Sequence, residues 1–226
     1  MIKVMRLLQF TDSQFPVGTF SFSNGLETAS FEKIVTNAQT LEEFARSQSH
    51  QAAYSDGVCC LHAYKAYKKG DFEKCKEIDK YLYAFKMNDE ARQMATRMGK
   101  KLSELGVRLY SDSFVKEWLD AINKGETPGM YPVAQGIMFA LAGVSEKDLV
   151  CSHQYGVINM VLGAALRCVK VSHYDTQLIL EKLSGEVEHL FEEASVMELK
   201  DMNAFYPELD ILASLHEKGN MRMFMN

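Results

Sequence analysis

The sequence has little proline and no long uninterrupted apolar run, and both absences narrow the possible folds. Only four of the 226 residues are proline, which argues against a loop-rich β-sandwich. The longest apolar region, Gly156–Val169, is interrupted by Asn159 and Arg167, whereas a membrane helix needs about 20 predominantly apolar residues. We therefore expect no membrane span. The N-terminal segment carries two basic residues and is too short for a signal peptide.

The sequence also lacks the motifs that mark common catalytic and cofactor sites. It contains no GxxxxGK[ST], no GxGxxG and no GxSxG, and Gly99–Lys100–Lys101 lacks the earlier glycine of a phosphate-binding loop. The five cysteines are odd in number and form no CxxC pair, which indicates reduced thiols in a cytoplasmic protein. With a net charge of −5, nucleic acid is not an expected partner. We expect neither an enzyme nor a bound cofactor.

Most of the chain shows the hydrophobic periodicity of α-helices. Hydrophobic residues make up 47% and charged residues 24%, the balance of an ordinary globular protein. Apolar residues recur every three or four positions in most segments, and strand-like alternation of useful length is missing. The pattern predicts an all-α protein: residues 1–226 form a single compact bundle of about nine or ten helices, with no linker and no internal repeat.

Polar residues mark where several of these helices should begin. Thr40, followed three residues later by Glu43, predicts a capping box at the start of a helix that runs to about Lys69. Further N-caps are expected at Asn88, at Ser111 or Asp112, and at Ser145, and Asp175–Lys200 should form one amphipathic helix.

Two nearly all-apolar segments, Tyr131–Leu141 and His153–Val171, should form the centre of the fold. Gly136 and Gly143 are seven residues apart, and so are Gly156 and Gly163. Seven residues return to nearly the same side of a helix. Each pair therefore predicts a face on which another helix approaches closely.

The stretch Leu7–Glu27 points to recognition. It places Phe15, Phe20 and Phe22 in a loop that also contains Pro16, Gly18 and Gly25. Aromatic rings in such a loop need another surface, either of the same domain or of a partner.

The C-terminal tail and one arginine each leave two interpretations open. Met221, Met223, Phe224 and Met225 lie within the last six residues, so this tail is expected to dock on a partner or on its own domain. Arg167 is a lone permanent charge on an apolar helix. It is either tied internally to a carboxylate or forms a buried hub beside an interface.

A metal-carboxylate site is the alternative from another functional class. Glu186 and His189 form one Glu-x-x-His motif, and Glu193 lies one turn further on. Di-metal sites in helical bundles use this motif twice and add carboxylates from two other helices. The chain has the motif once, so a solvated helix face is the preferred interpretation.

Taken together, these motifs resemble the UreF family of urease accessory proteins, and the resemblance covers essentially the whole chain in one order. Any one motif alone is weak evidence for this family, whereas the set in this order is strong evidence. The matching residues are Leu7, Leu8, Gln9, Asp12, Ser13, Phe15, Pro16, Gly18, Phe20, Ser23, Gly25, Leu26 and Glu27; Glu90, Arg92, Met98 and Gly99; Tyr131, Pro132, Val133 and Gly136; Ala164, Ala165 and Arg167; Asp175 and Gln177; Pro207, Leu209, Asp210, Ile211, His216, Glu217, Arg222, Met223 and Phe224.

The resemblance implies a cytoplasmic, all-helical factor in the maturation of nickel urease. Members of the family form homodimers, bind the accessory protein UreD (also called UreH), and recruit the GTPase UreG and the apo-urease. GTP and nickel are handled mainly by the GTPase. By this resemblance, residues 1–25 and 218–226 would be partner-binding segments, and Arg222 would bond near the Phe20 loop and couple the two ends of the chain.

Overall fold

The computed structural model describes residues 1–12, 14–204, 206–217 and 222–225 and contains no β-strand within them. A π-helical turn, Ala53–Gly57, joins α3 and α4 into one continuous helix. The helices are α1 Ile2–Thr11, α2 Leu26–Phe31, α3 Ala38–Ala52, α4 Val58–Lys69, α5 Phe72–Phe85, α6 Asp89–Leu109, α7 Ser113–Asn123, α8 Tyr131–Ala142, α9 Glu146–Cys168, α10 His173–Ser184, α11 Val187–Ser195 and α12 Pro207–His216.

The all-α prediction is confirmed, with slightly more helices than expected. The described residues form eleven separate helices when α3 and α4 are taken together. One reason is that the predicted helix Asp175–Lys200 is interrupted at Gly185, between α10 and α11. Gly185 has ordinary helical angles, with φ of −65° and ψ of −18°, so the interruption does not depend on the conformational freedom of glycine.

Most of the predicted helix starts are confirmed. Asn88, Asp112 and Ser145 each accept a hydrogen bond from the backbone N–H three residues later. The prediction for Thr40 is wrong, because Asn37 is the N-cap of α3 and Thr40 is the third helical residue. The two still form a capping box, since each side chain accepts from the other's backbone N–H.

The predicted close helix contact occurs at one of the four glycines. A Cβ atom on Gly136 would lie 2.3 Å from the carbonyl oxygen of Cys60, so α8 and α4 touch almost backbone to backbone. Gly143 instead ends α8 in the left-handed conformation, with φ of +71°. A Cβ atom on Gly156 or Gly163 would meet no described atom within 4 Å. For this second pair the predicted close approach of another helix is not found among the described residues.

Helix α9 is long and apolar enough to cross a membrane by length and composition. In the fold, 56% of its most apolar window is buried, and it contacts α2, α3, α4, α8 and α10 among other helices. The helix therefore packs as a core element. Its second half, with α2, α3, α10 and α12, forms a hydrophobic cluster that includes Phe224 from the tail.

A buried carboxylate fixes the entry to α8. Asp79 on α5 is fully buried and accepts hydrogen bonds from the Thr127 hydroxyl at 2.6 Å and from the backbone N–H groups of Gly129 and Met130 at 2.6 and 2.7 Å. Burial raises the pKa of Asp79 to about 6, although these three donors act in the opposite direction. The turn before α8 is thereby tied to α5.

Candidate functional site

The loop between α1 and α2 depends on two glycines with positive φ. Gly18 has φ of +92° and Gly25 has φ of +84°, a conformation that residues with a Cβ atom rarely adopt. At Gly25 there is a second requirement, because a Cβ atom would lie 3.2 Å from the backbone nitrogen of Ala213. The absence of a side chain therefore lets α12 pass directly over the start of α2.

The three phenylalanines of this loop have different surroundings. Phe22 is buried, and Phe15 is half-buried against Phe10 with ring centroids 5.2 Å apart. Phe20 is 76% exposed. The prediction that the aromatic rings need another surface is thus met within the chain for two of them, whereas Phe20 presents much of its ring outward.

Arg167 lies between two aromatic rings contributed by the two ends of the chain. Its guanidinium carbon is 4.2 Å from the ring centroid of Phe20 and 3.8 Å from that of Phe224. It also donates a hydrogen bond of 2.8 Å to the carbonyl oxygen of Phe20. A planar cation stacks favourably on aromatic faces on both sides. Within the described residues Arg167 has no carboxylate partner, so the expected internal ion pair is replaced by a cation–π sandwich.

Residues 222–225 of the tail are held by their backbone. The N–H groups of Met223 and Phe224 donate to the carboxylate of Glu27 at 2.8 and 3.2 Å, and the N–H of Met225 donates to the carbonyl oxygen of Ser21 at 2.8 Å. Phe224 is buried in the cluster around α2 and α9. The tail therefore docks on its own chain in this structure.

Within the described residues Arg222 forms no hydrogen bond or ion pair with the Phe20 loop, so that prediction is wrong. Its guanidinium donates to Glu90, at the start of α6, at 2.7 Å. The connection to the Phe20 loop is made instead by Arg167, Phe224 and the N–H of Met225. The two ends of the chain are coupled as expected, but through other residues.

Behind the tail, His216 of α12 bridges two buried carboxylates. Its Nδ1 atom is 2.9 Å from Glu90 and its Nε2 atom is 2.9 Å from Glu27. His216, Glu27 and Glu90 are 3%, 2% and 8% exposed. An ionised carboxylate only accepts hydrogen bonds, so both contacts are satisfied when both ring nitrogens carry a proton.

This arrangement pairs acidic with basic side chains. Two carboxylates, Glu27 and Glu90, face two basic side chains, those of His216 and Arg222. A buried charge left without its partner destabilises a fold strongly. The four residues come from α2, α6, α12 and the tail, so the charge cluster holds these segments to one another.

A neighbouring carboxylate reinforces the junction. Glu217, directly after α12, accepts hydrogen bonds from the backbone N–H groups of Asp89 and Glu90 at 2.9 and 3.1 Å. These donors are at the N-terminus of α6, where the helix leaves its first N–H groups unpaired. The negative charge also complements the positive end of the helix dipole.

The structure brings together some of the sequence-predicted residues and separates others. The tail-docking site contains Phe20, Gly25, Leu26, Glu27, Arg167, Arg222, Met223 and Phe224. Ser23, fully buried, stabilises the first turn of α2 by accepting from the N–H of Glu27. Asp12, Phe15, Pro16 and Gly18 lie on the α1 side of the loop, where Asp12 ends α1. Ser13 and Met221 fall outside the described residues.

Sequence reasoning missed the joint role of Glu90 and His216. Each of them only matches a motif of the family in the sequence. A signal was available, because Leu209, Leu212, Ala213 and His216 share one face of α12 by their spacing. A histidine on an otherwise apolar helix face requires buried hydrogen-bond partners.

Similarity to known proteins extends over the helical body and over both ends of the chain. The family model described as UreF matches residues 35–184. The chain is 44% identical over 223 residues to "Urease accessory protein UreF 2" of Brucella canis, a match that spans 99% of this chain and 92% of that protein. It is 38% identical to "Urease accessory protein UreF" of Yersinia pseudotuberculosis, over 99% of this chain and 98% of that protein. The chain belongs to the UreF family. The family model covers most of the helical body, whereas the full-length relatives also extend over the two chain ends that form the site.

The alternative metal site does not assemble in this UreF chain. Glu186 is bound to Arg46 at 2.9 Å and to His50 at 3.2 Å. His189 is mostly exposed, and its contact is Glu193 at 3.6 Å. Among the described residues no group of three His, Cys, Asp or Glu side chains is placed to hold a metal ion. Glu186 instead ties α11 to α3.

The five cysteines are all unpaired thiols in the structure. Cys59 and Cys60 point in different directions, as expected for neighbours on a helix, with Cys59 against Met202 and Cys60 donating to the carbonyl oxygen of Pro132. Burial raises the pKa of both thiols well above the usual range. These two cysteines therefore act as packing residues rather than as reactive groups.

Proposed function

We propose that this chain is a urease maturation factor that acts as a scaffold in the cytoplasm. It links the GTPase UreG to UreD (UreH) and to apo-urease, and it gates the GTP-dependent delivery of nickel. The observation that carries the proposal is the likeness to urease accessory proteins over 99% of the chain. The geometry adds a reason for a scaffold role, because the two chain ends form one preorganised apolar surface.

The proposed surface for UreD consists of Phe20, Met223 and Met225. Their side chains are 76%, 57% and 49% exposed, although the backbone of the tail is fixed by Glu27 and Ser21. Apolar side chains held in place before binding lose less entropy when a partner covers them. Methionine also adapts its shape to a partner surface. The docked tail is thus suited to receive another protein.

The proposed homodimer would form along the outer face of α9. Gly156 and Gly163 lie exposed on this helix and meet nothing within 4 Å, and Tyr155 beside them is 37% exposed. Glycines spaced by seven residues allow two helices to approach closely. Since no helix among the described residues fills the space, a second copy is the proposed occupant.

The chemistry of nickel delivery is assigned to the partner rather than to this chain. The sequence has no phosphate-binding loop, so the GTP would be held by UreG. Nickel would be a cargo of the complex. The role proposed for this chain is to set the placement of two GTPase subunits on its dimer, with no catalytic residue of its own.

Complementation in cells is the decisive test of this function. Expression of the chain should restore urease activity in cells that carry the urease genes but lack their own copy of this gene. Failure to restore it, with UreD and UreG of the same organism present and the chain expressed in folded form, would contradict the proposal.

A pull-down separates the role of the tail from that of the helical body. Arg222→Ala removes the cation that neutralises Glu90, whereas Arg97→Ala removes an arginine from an exposed face of α6. The first variant should lose UreD, and the second should retain both UreD and UreG. If Arg222→Ala retained both partners, the proposal that the tail binds UreD would be contradicted.

A further inference from the structure

A large open cleft lies beside the tail-docking site and shares Glu217 with the junction next to it. It has a volume of about 900 Å³ and is bounded by α12 on one side and by the turn between α5 and α6 on the other. Its floor includes residues of α3, the π-helical turn and α9. The cleft is therefore built from parts of the chain that are distant in sequence.

The rim of the cleft exposes apolar side chains. Met87, Ile211 and Leu215 line it and are 74%, 57% and 47% exposed. Met94, Met160 and Met202 line the interior. Methionine side chains are flexible and polarisable, and surfaces rich in them bind apolar helices of varied shape. Exposed apolar side chains around one concave surface indicate an occupant.

The charges of the cleft are not balanced within it. Three carboxylates, Asp56, Asp210 and Glu217, and one ammonium group, Lys86, are part of the lining, which leaves a net charge of −2. Lys86 is already paired with Asp56 at 2.8 Å. Asp210 is half-buried and accepts a hydrogen bond from the side chain of Gln51. Lys86 also attracts it but forms its ion pair with Asp56, so among the described residues no cation is in ion-pair contact with Asp210. Burial raises the pKa of Asp210, the effect expected of a carboxylate in apolar surroundings.

These features exclude several kinds of occupant. Nucleic acid and phosphorylated ligands carry the wrong charge. The carboxylates do not converge with a third ligand to hold a metal ion within the described residues. A peptide that binds by adding a strand would need a sheet edge, and the described residues contain no strand. The basic helix α1 of a second copy is also unsuitable, because its Arg6 donates to Ala142 of its own chain.

We infer that the cleft binds a helical segment of an accessory protein that carries apolar side chains and one lysine or arginine. A helix satisfies its own backbone hydrogen bonds, so it requires only apolar contacts and one charge from the cleft. The apolar side chains lie against the methionines, and the cation pairs with Asp210. This inference rests on the proposed scaffold function, which supplies the accessory proteins.

Charge reversal at Asp210 provides the main test, with a matched control on the same helix. Asp210→Lys reverses the charge of a carboxylate that lines the cleft, and Glu208→Lys makes the same change on an exposed side chain that does not line it. Purified UreD, UreG and apo-urease are titrated separately against the full-length variants. We expect Asp210→Lys to weaken the binding of one of them at least tenfold and Glu208→Lys to change it less than twofold.

A second pair of variants distinguishes a loss of binding from a loss of folding. Ile211→Glu places a charge on the rim, and Leu178→Glu does so at a side chain that is 70% exposed on α10, outside the cleft. Both should melt within a few degrees of the parent chain by circular dichroism. We expect Ile211→Glu alone to weaken the same partner at least tenfold.

Cross-linking identifies the segment that enters the cleft. A benzophenone amino acid at Met87, the most exposed of the rim side chains, should cross-link to the same partner in a helical peptide that contains lysine or arginine. Reversing that cation to glutamate should restore binding to Asp210→Lys. A cross-link within the chain itself, or to an acidic or wholly polar peptide, would overturn the inference.

The outcomes separate this inference from the function on which it rests. If none of the three proteins binds the unmodified chain, the scaffold function and the inference fail together. If they bind it and also bind Asp210→Lys and Ile211→Glu equally well, only the inference is overturned.

Discussion

The contact between α4 and α8 and the tail-docking site are stabilised in opposite ways. The helix contact is apolar, and it is so close that Gly136 has no room for a Cβ atom. The tail site depends on Glu27, Glu90 and His216, which are distant in sequence and charged. The helix contact has no room for an added methyl group, whereas the charge cluster is sensitive to the loss of any of its members. The tail is therefore held by charged and hydrogen-bonded groups in addition to the burial of Phe224.

The largest effect is expected at the helix contact. In Gly136→Ala the new methyl group would lie 2.3 Å from the Cys60 carbonyl oxygen and 3.0 Å from Ala63, so α4 and α8 must separate. We expect the free energy of unfolding in urea to fall by about 4 kcal/mol. Gly185→Ala is the matched control, because that glycine has φ of −65° and meets only Lys182 at 3.4 Å. It should be neutral or stabilising, and an equal loss in both variants would show that the contact is not close.

A loss nearly as large is expected when the charge cluster is broken. Glu27→Ala removes the acceptor of His216 and of the Met223 and Phe224 N–H groups. It leaves the buried Nε2 atom of His216 and the two backbone N–H groups without their partner, which costs about 3 kcal/mol. Hydrogen exchange at Met223 and Phe224 should also become fast. In the control Glu32→Gln, which changes an exposed residue just after α2, both measurements should match those of the parent chain.

The pH dependence of stability should report on Asp79 in the helical body. Its pKa is about 6 in the folded chain, above the ordinary value of 3.8. Between these values only the folded state keeps the proton, so the free energy of unfolding falls as the pH rises from about 4 to 6. The full difference amounts to about 3 kcal/mol.

A neutral variant isolates that contribution. Asp79→Asn cannot titrate, so its stability relative to the parent chain should improve as the pH rises through this window. Chemical denaturation of both proteins at several pH values measures the difference. A difference that is independent of pH would contradict the assignment.

A smaller effect is expected at the cation–π sandwich. Arg167→Lys keeps the positive charge but loses the planar group that stacks between Phe20 and Phe224. The expected loss of stability is about 1 kcal/mol, with faster exchange of the Met225 N–H that donates to Ser21. Arg108→Lys, near the end of α6, is the control. Unchanged exchange in Arg167→Lys would show that the arginine does not hold the tail.

The contrast between the close helix contact and the long-range charge cluster also explains which features could be predicted from the sequence. The helices, most of their N-caps and a close helix contact at Gly136 follow from local periodicity and from single residues such as Asn88, whereas the partner α4 does not. The orientation of α9 could not be derived, because Gly156 and Gly163 allow a close approach from within the chain or from outside it. The partners of Glu90 and His216 could not be derived either, because charge pairing between distant segments leaves no periodic pattern.

The central claim is that the docked tail presents Met223 outward as a binding surface. The most direct measurement is the affinity of purified UreD for the full-length chain and its Met223→Glu variant, with Leu178→Glu as the control. Both changes affect exposed side chains, and the Met223 N–H can still donate to Glu27. The account predicts at least a tenfold loss of affinity for Met223→Glu and no loss for Leu178→Glu. Equal affinity of Met223→Glu and the parent chain would contradict it.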